Sequence, residues 1–182
     1  MKWRDNVLTA LLAAALCVMA PMTVPLSPVP ITLATLGVYL AAGLLGPWRG
    51  AAAVGLYLLL GAVGVPVFAG FSAGFPVLFG LTGGFLWGYL PCVIVAGLLC
   101  RGNRWDALPL ALAAGTAVLY VAGVAWYMAQ TGADLASALL ICVVFTLPGE
   151  AIKIAVATAL TIPLRGRVRR LLSAGVKERN NL

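Results

Sequence analysis

The chain has no histidine, and aspartate and glutamate together number only five among 182 residues. Imidazole is the commonest metal ligand, so its absence beside so few acids argues against a metal centre. Charge of either sign is scarce: 9% of the residues are charged, where a soluble globular domain carries roughly a quarter. The four cysteines, Cys17, Cys92, Cys100 and Cys142, fall in or beside apolar runs without CxxC spacing. They read as small buried hydrophobes, not as a metal set or a disulfide framework. No GxxxxGK[ST] phosphate loop occurs, and no segment is polar enough to form a soluble nucleotide-binding domain. This excludes an ATPase within the chain. No nucleophile–base set stands out either, so no catalytic residue and no cofactor is expected.

What is present is apolar sequence. Hydrophobic residues make up 63% of the chain and the mean hydropathy is +1.06. Asn6–Trp48, Ala51–Cys100 and Ala107–Ala133 each run without a charge, long enough for membrane helices of about 20 residues each. An all-α polytopic membrane protein follows. The net charge of +7 does not point to nucleic acid, because the basic residues mark the ends of apolar runs and carry no interleaved aromatics. The stretch Arg165-Gly-Arg167-Val-Arg169-Arg170 reads as an anchor beside anionic lipid.

Six spans are expected in a single domain covering 1–182, at about 5–20, 31–45, 51–63, 83–100, 107–129 and 149–164. The start, Met1–Ala20, has a signal-like pattern but reads as a retained first helix, because the rest is also membrane-embedded. Pro21–Pro30 holds four prolines and no charge, so it is irregular backbone that must be covered by protein or line a cavity. Gly46-Pro47-Trp48-Arg49-Gly50 reads as a tight turn. Gly64–Gly84, rich in glycine and phenylalanine and uncharged, reads as a cap folded back on the helices. Gly80, Gly84 and Gly88 recur at four-residue spacing, as do Ala10 and Ala14, and such faces let helices approach closely in lipid. Leu135–Leu147 is short for a span and reads as a partly embedded helix at the outer interface. With six spans, Lys2, Arg4, Arg49, Arg101, Arg104 and every basic residue from Arg165 onward fall on one side, the cytoplasmic side by the positive-inside rule. Seven spans would put the basic tail outside.

Lys153 is the exception to that segregation. It sits with Glu150 in Pro148-Gly149-Glu150-Ala151-Ile152-Lys153, followed by uncharged sequence to Leu164. Three residues apart, the two side chains share a helix face. A charge at membrane depth costs about 2.5–3.5 kcal/mol on insertion scales, so it is usually paired and functional. A purely structural ion pair is the plainer alternative. Thr35, Tyr39, Ser72, Thr82 and Tyr89 offer further polar groups, and Phe68, Phe71 and Trp87 flat apolar surface. Together these suit a small molecule with a compact polar head and an aliphatic part. A proton- or ion-coupled carrier, in which the pair relays protons, is the competing class.

Five segments carry a resemblance across nearly the whole chain: Val29-Pro-Ile-Thr-Leu-Ala-Thr-Leu-Gly-Val38, Leu45-Gly-Pro-Trp-Arg-Gly50, Leu56-Tyr-Leu-Leu-Leu-Gly-Ala-Val-Gly-Val-Pro-Val-Phe-Ala-Gly-Phe71, Thr82-Gly-Gly-Phe-Leu-Trp-Gly-Tyr89 and Leu147-Pro-Gly-Glu-Ala-Ile-Lys153. In this order they resemble the BioY family, the biotin-specific substrate-binding (S) subunits of energy-coupling factor (ECF) transporters. The resemblance implies a six-helix S-component-like bundle in the cell's inner membrane, with both termini cytoplasmic and biotin captured at the outer face. It also implies partners, a transmembrane coupling subunit docking on the Ala10–Ala14 face and two cytoplasmic ATPases. A stand-alone or ion-coupled carrier for biotin or another vitamin-like molecule is the alternative. The ligand-binding residues expected are Glu150, Lys153, Thr35, Tyr39, Phe68, Phe71, Thr82 and Tyr89, with biotin's ureido ring matching a carboxylate and an ammonium. The sequence leaves open whether Lys153 instead meets the valerate carboxylate. Glu150 stands where the family often has aspartate, Ala34 where it has glutamine, and Leu81 where proline is common.

Overall fold

The computed structural model describes residues 2–24, 30–100 and 107–179, and these are almost wholly helical. Arg101, Arg104, the middle of the proline-rich segment and the side chains of Lys2, Arg4 and the tail beyond Gly166 lie outside what is described. Helix α1 (Lys2–Met19) ends ahead of Pro21, which has no N–H with which to continue it. The chain then forms a two-residue antiparallel pairing of β1 (Thr23–Val24) with β2 (Ile31–Thr32), Thr23 opposite Thr32.

Helix α2 (Ala34–Val63) consists of two helical limbs joined at a kink. Gly46 takes φ 77 and ψ −170, a region that is essentially glycine-only, and Pro47 follows it. A Cβ on Gly50 would lie 3.0 Å from the Ala41 carbonyl oxygen, whereas nine residues of straight helix would separate them by about 13.5 Å. The two limbs therefore fold back on each other as a hairpin. With α4 (Gly83–Leu99), α5 (Leu108–Thr131), α7 (Leu147–Arg179) and α1, they make six long helical rods among the described residues. Between them lie a single-turn helix α3 (Phe75–Phe79), the short α6 (Leu135–Leu139) capped by Asp134, and a π-helical turn over Leu140–Val144.

The last helix differs from expectation. It starts two residues earlier than 149 and runs past Pro163 and Arg165 to Arg179. Charge ends a membrane span but not a helix, because arginine and leucine are good helix formers.

Helices α4 and α5 pack at small residues. A Cβ on Gly84 would meet Trp126 Cβ at 2.2 Å, and one on Gly88 would meet Leu119 at 2.9 Å, so larger residues would hold the helices apart. Leu16, Tyr39, Tyr57, Leu112 and Leu119 fill the core. The outer surface is equally apolar, with Leu59, Leu110, Val121 and Ile152 exposed. Ala34–Val63, Leu108–Thr131 and Leu135–Gly166 are long and apolar enough to cross a membrane, and Asp5–Met19 and Gly83–Leu99 are shorter apolar helices. In hydrocarbon, an apolar exterior around a satisfied backbone is the stable arrangement. The chain is a multi-pass membrane protein.

Because successive rods reverse direction, each end of the bundle collects alternate termini. One end holds the charged pair Arg49–Asp5 (2.6 Å) and Arg165, whose guanidinium donates to the Cys100 carbonyl at the end of α4. The other end holds the cavity.

Candidate ligand-binding site

A cavity of about 190 Å³ lies at that second end. Its walls come from the end of α1 (Ala20), the start of α2 (Ala34, Thr35), the far limb of α2 (Tyr57), the cap (Phe68, Ser72), the start of α4 (Thr82, Phe85, Leu86, Tyr89), α5 (Leu119, Tyr120) and the start of α7 (Thr146, Glu150). Six rods and the cap thus converge on one space, which no neighbouring pair of segments could enclose alone.

Glu150 forms the floor and is buried. It sits one turn into α7, where the helix amides favour an acid. Three donors converge on its carboxylate. Lys153 Nζ donates to Oε1 at 2.6 Å, Thr35 Oγ1 donates to Oε1 at 3.0 Å, and Tyr39 OH donates to Oε2 at 2.7 Å. Lys153 Nζ also donates to Thr35 Oγ1 at 2.9 Å. Tyr39 OH also lies 2.6 Å from Thr116 Oγ1, whose single proton is shared between Tyr39 and the Leu112 carbonyl at 2.9 Å. Every hydrogen bond here is charge-assisted or polarised by one that is. A carboxylate has about four acceptor positions and three are filled. The one left over, on Oε2, is available to a ligand N–H.

The walls are mainly apolar. Phe68 is fully buried, edge-on to Tyr57 with ring centroids 5.6 Å apart. Its ring occupies the space over Gly61, where a Cβ would come within 2.1 Å of the ring. The cap is tied down by backbone bonds from Gly70 N–H to the Pro21 carbonyl (3.2 Å) and from Gly74 N–H to the Gly61 carbonyl (2.7 Å). The indole N–H groups of Trp126 and Trp87 donate to the Gly80 and Leu78 carbonyls at 3.0 and 3.2 Å.

Of the residues the sequence suggested, Glu150, Thr35, Phe68, Thr82 and Tyr89 line the cavity, as does Ser72. Lys153 and Tyr39 are buried outside the wall, both bonded to Glu150 and Lys153 also to Thr35, which do line it. Phe71 is not in the wall. It adopts φ +60 after Gly70, which turns the ring outward, and it is 70% exposed. Trp87 lies on the outside of α4, where its indole serves the cap. Ala10 and Ala14 lie on the outer face of α1 beside Leu11 and Val18, whereas Ala13 and Leu16 face the bundle. Thr32, Phe85, Leu119, Tyr120 and Thr146 join the wall unannounced by charge. Only Thr146 carried a readable signal, four residues before Glu150 and hence on the same helical face.

A compact, mainly apolar pocket with a few convergent polar groups, held inside a helical bundle with a lipid-type exterior, defines a membrane-embedded small-molecule-binding protein. The model of the BioY family matches residues 1–170, and the chain belongs to that family. It is 42% identical to "Biotin transporter BioY" of Thermotoga maritima over 66% of this chain and 72% of that protein. To "Biotin transporter BioY" of Rhizobium etli it is 37% identical over 88% and 92%. The fold matches the crystal structure of the S-component for biotin from an ECF-type ABC transporter, with a TM-score of 0.82, 24% identity, and coverage of 91% of this chain and 92% of that one.

Proposed function

We propose that this chain captures biotin and serves as the substrate-binding subunit of an ECF-type importer, a transport protein and not an enzyme. The observation that carries the reading is the buried Glu150 carboxylate in the cavity wall, with one acceptor position unfilled by protein donors. Biotin's ureido ring presents N–H donors to such an acceptor, and its fused rings suit the Phe68 and Tyr89 walls. The cavity, at about 190 Å³, is below the roughly 300 Å³ at which drug-sized pockets begin, which favours a compact, vitamin-sized ligand. Lys153 contributes by holding Glu150 and Thr35 in place, and Thr82 lines the cavity.

In this reading the Arg49 and Arg165 end faces the cytoplasm of a cell whose inner membrane holds the chain, with both termini on that side and the cavity outward. ATP hydrolysis belongs to partners, a coupling subunit seated on the Ala10–Ala14 face of α1 and two cytoplasmic ATPases. Purification without added biotin, followed by mass spectrometry of the retained small molecules, tests the assignment. Retained biotin and saturable binding of one biotin per chain are expected; a purified, folded chain that binds none overturns it. Uptake by the chain alone, abolished by an uncoupler and indifferent to ATP depletion, would replace the subunit reading with an ion-coupled carrier.

A further inference from the structure

A second concavity lies on the outside of the bundle, between α5, α6 and the π-helical turn. Val121, Val124, Met128, Leu135, Leu139 and Val143 are among its lining residues, and its exposed rim, Val121 and Leu135, belongs to the apolar exterior. Among the described residues, Tyr120 is the one residue common to this groove and the Glu150 cavity. Tyr120 contributes to the walls of both, so it stands between a ligand space and an apolar surface.

The ring is held in that position by a directed relay. Thr146 Oγ1 donates to the Cys142 carbonyl at 2.7 Å, within the π-helical turn that widens the backbone just before α7. Its one proton is then committed, so in the 3.0 Å contact between Tyr120 and Thr146 the tyrosine donates. The hydroxyl thus pins the far edge of the ring to the start of α7, the helix that carries Glu150. A bulky neutral side chain anchored at its tip acts as a rigid wall, because moving it costs a hydrogen bond between partly buried groups.

We propose that Tyr120 is a specificity-determining partition: it limits how much bulk a ligand can carry on the α5–α7 side of the cavity, and its removal joins the cavity to the outer groove. The proposal deepens the biotin reading and rests on it for the identity of the ligand, but not for the existence of the wall. Two measurements on the full chain in lipid nanodiscs keep these apart. In the first, affinities are compared for biotin and for two hexyl derivatives, one an amide at the carboxyl group and one alkylated at a ureido nitrogen. In the wild type both derivatives bind at least tenfold more weakly than biotin. In Tyr120→Ala the ratio of derivative to biotin affinity rises at least tenfold for one of the two, and which one rises identifies the end of biotin that faces the groove. In Tyr120→Phe, which keeps the ring and loses the relay, the ratio rises less.

In the second measurement, which needs no biotin, Thr32→Cys places a thiol in the cavity wall. Labelling by a membrane-soluble maleimide is followed in Thr32→Cys alone and in Thr32→Cys combined with Tyr120→Ala, each against a background without that cysteine. Labelling several-fold faster in the combined variant supports the partition even in a chain that binds no biotin, an outcome that would overturn the ligand assignment instead. Unchanged labelling, or a folded Tyr120→Ala protein in which neither derivative gains on biotin, overturns the partition.

Discussion

Replacing Lys153 with methionine removes the one positive charge beside Glu150 while keeping a side chain of similar length. The carboxylate retains Thr35 at 3.0 Å and Tyr39 at 2.7 Å, both neutral, and loses its shortest partner at 2.6 Å. Both members of the pair are only 6% exposed, so water does not take over. Breaking a buried pair from one side costs about 3–5 kcal/mol, because it strands the remaining charge. For a chain of this size each kcal/mol moves Tm by about 2–4 °C, so a fall of roughly 6–20 °C is expected. Thr35 also loses the 2.9 Å bond from Nζ, and the carboxylate that the ligand reads is left free to turn. Losing one hydrogen bond to a charged group is worth about 1.5–3 kcal/mol, which is roughly a 10- to 150-fold rise in the Kd for biotin. The assay is equilibrium binding of radiolabelled biotin to the purified chain, with thermal unfolding measured on the same samples. The double variant Glu150→Gln, Lys153→Met separates the two effects. A neutral pair removes the stranded charge, so Tm recovers most of its loss, while the acceptor the ligand needs is still damaged and the affinity stays low. If Lys153→Met alone leaves Kd within about twofold of the wild type and Tm unshifted, the view of this pair as the support of the site is wrong.

Two other substitutions probe the support behind the site and the fold that places it. Tyr39→Phe removes the 2.7 Å bond to Glu150 and the contact to Thr116 without changing shape; biotin should bind about 5- to 150-fold more weakly, at about 1–3 kcal/mol for a buried acceptor deprived of its donor, and an unaltered binding isotherm would count against Tyr39 as a support of Glu150. Gly46→Ala adds a methyl group into open space but asks alanine to hold φ 77; the cost is backbone strain of about 1–3 kcal/mol, visible as a Tm lower by about 2–12 °C, and an unchanged Tm would mean the hairpin does not depend on that conformation.

Much of the architecture was written along the chain. Uncharged runs bounded by arginine specify where helices can sit in hydrocarbon, and a buried acid and lysine three residues apart specify that something must satisfy them. The Gly46-Pro47 turn was legible because glycine and proline are the two residues whose backbone behaviour is a property of the residue itself. The family resemblance rested on the same segments, and it reached Glu150 and Phe68, which both line the cavity.

Other features became visible only with the rods assembled. Thr35 and Glu150 stand 115 positions apart and Tyr39 and Thr116 stand 77 apart, yet both pairs are hydrogen-bonded. Phe68 and Phe71 are three residues apart in a uniformly apolar cap; one is fully buried against Gly61 and the other points out, because the backbone turns at Gly70. Tyr120 and Thr146 carried no charge to announce them, and their place in the wall follows from how α5 meets the π-helical turn. The sequence by itself therefore determined the solvent of each segment and the presence of a costly charged pair, since hydration energy is a property of the residues. Tertiary structure alone decided which residues share the cavity, because a cavity is space left over by packing and no single segment encodes it.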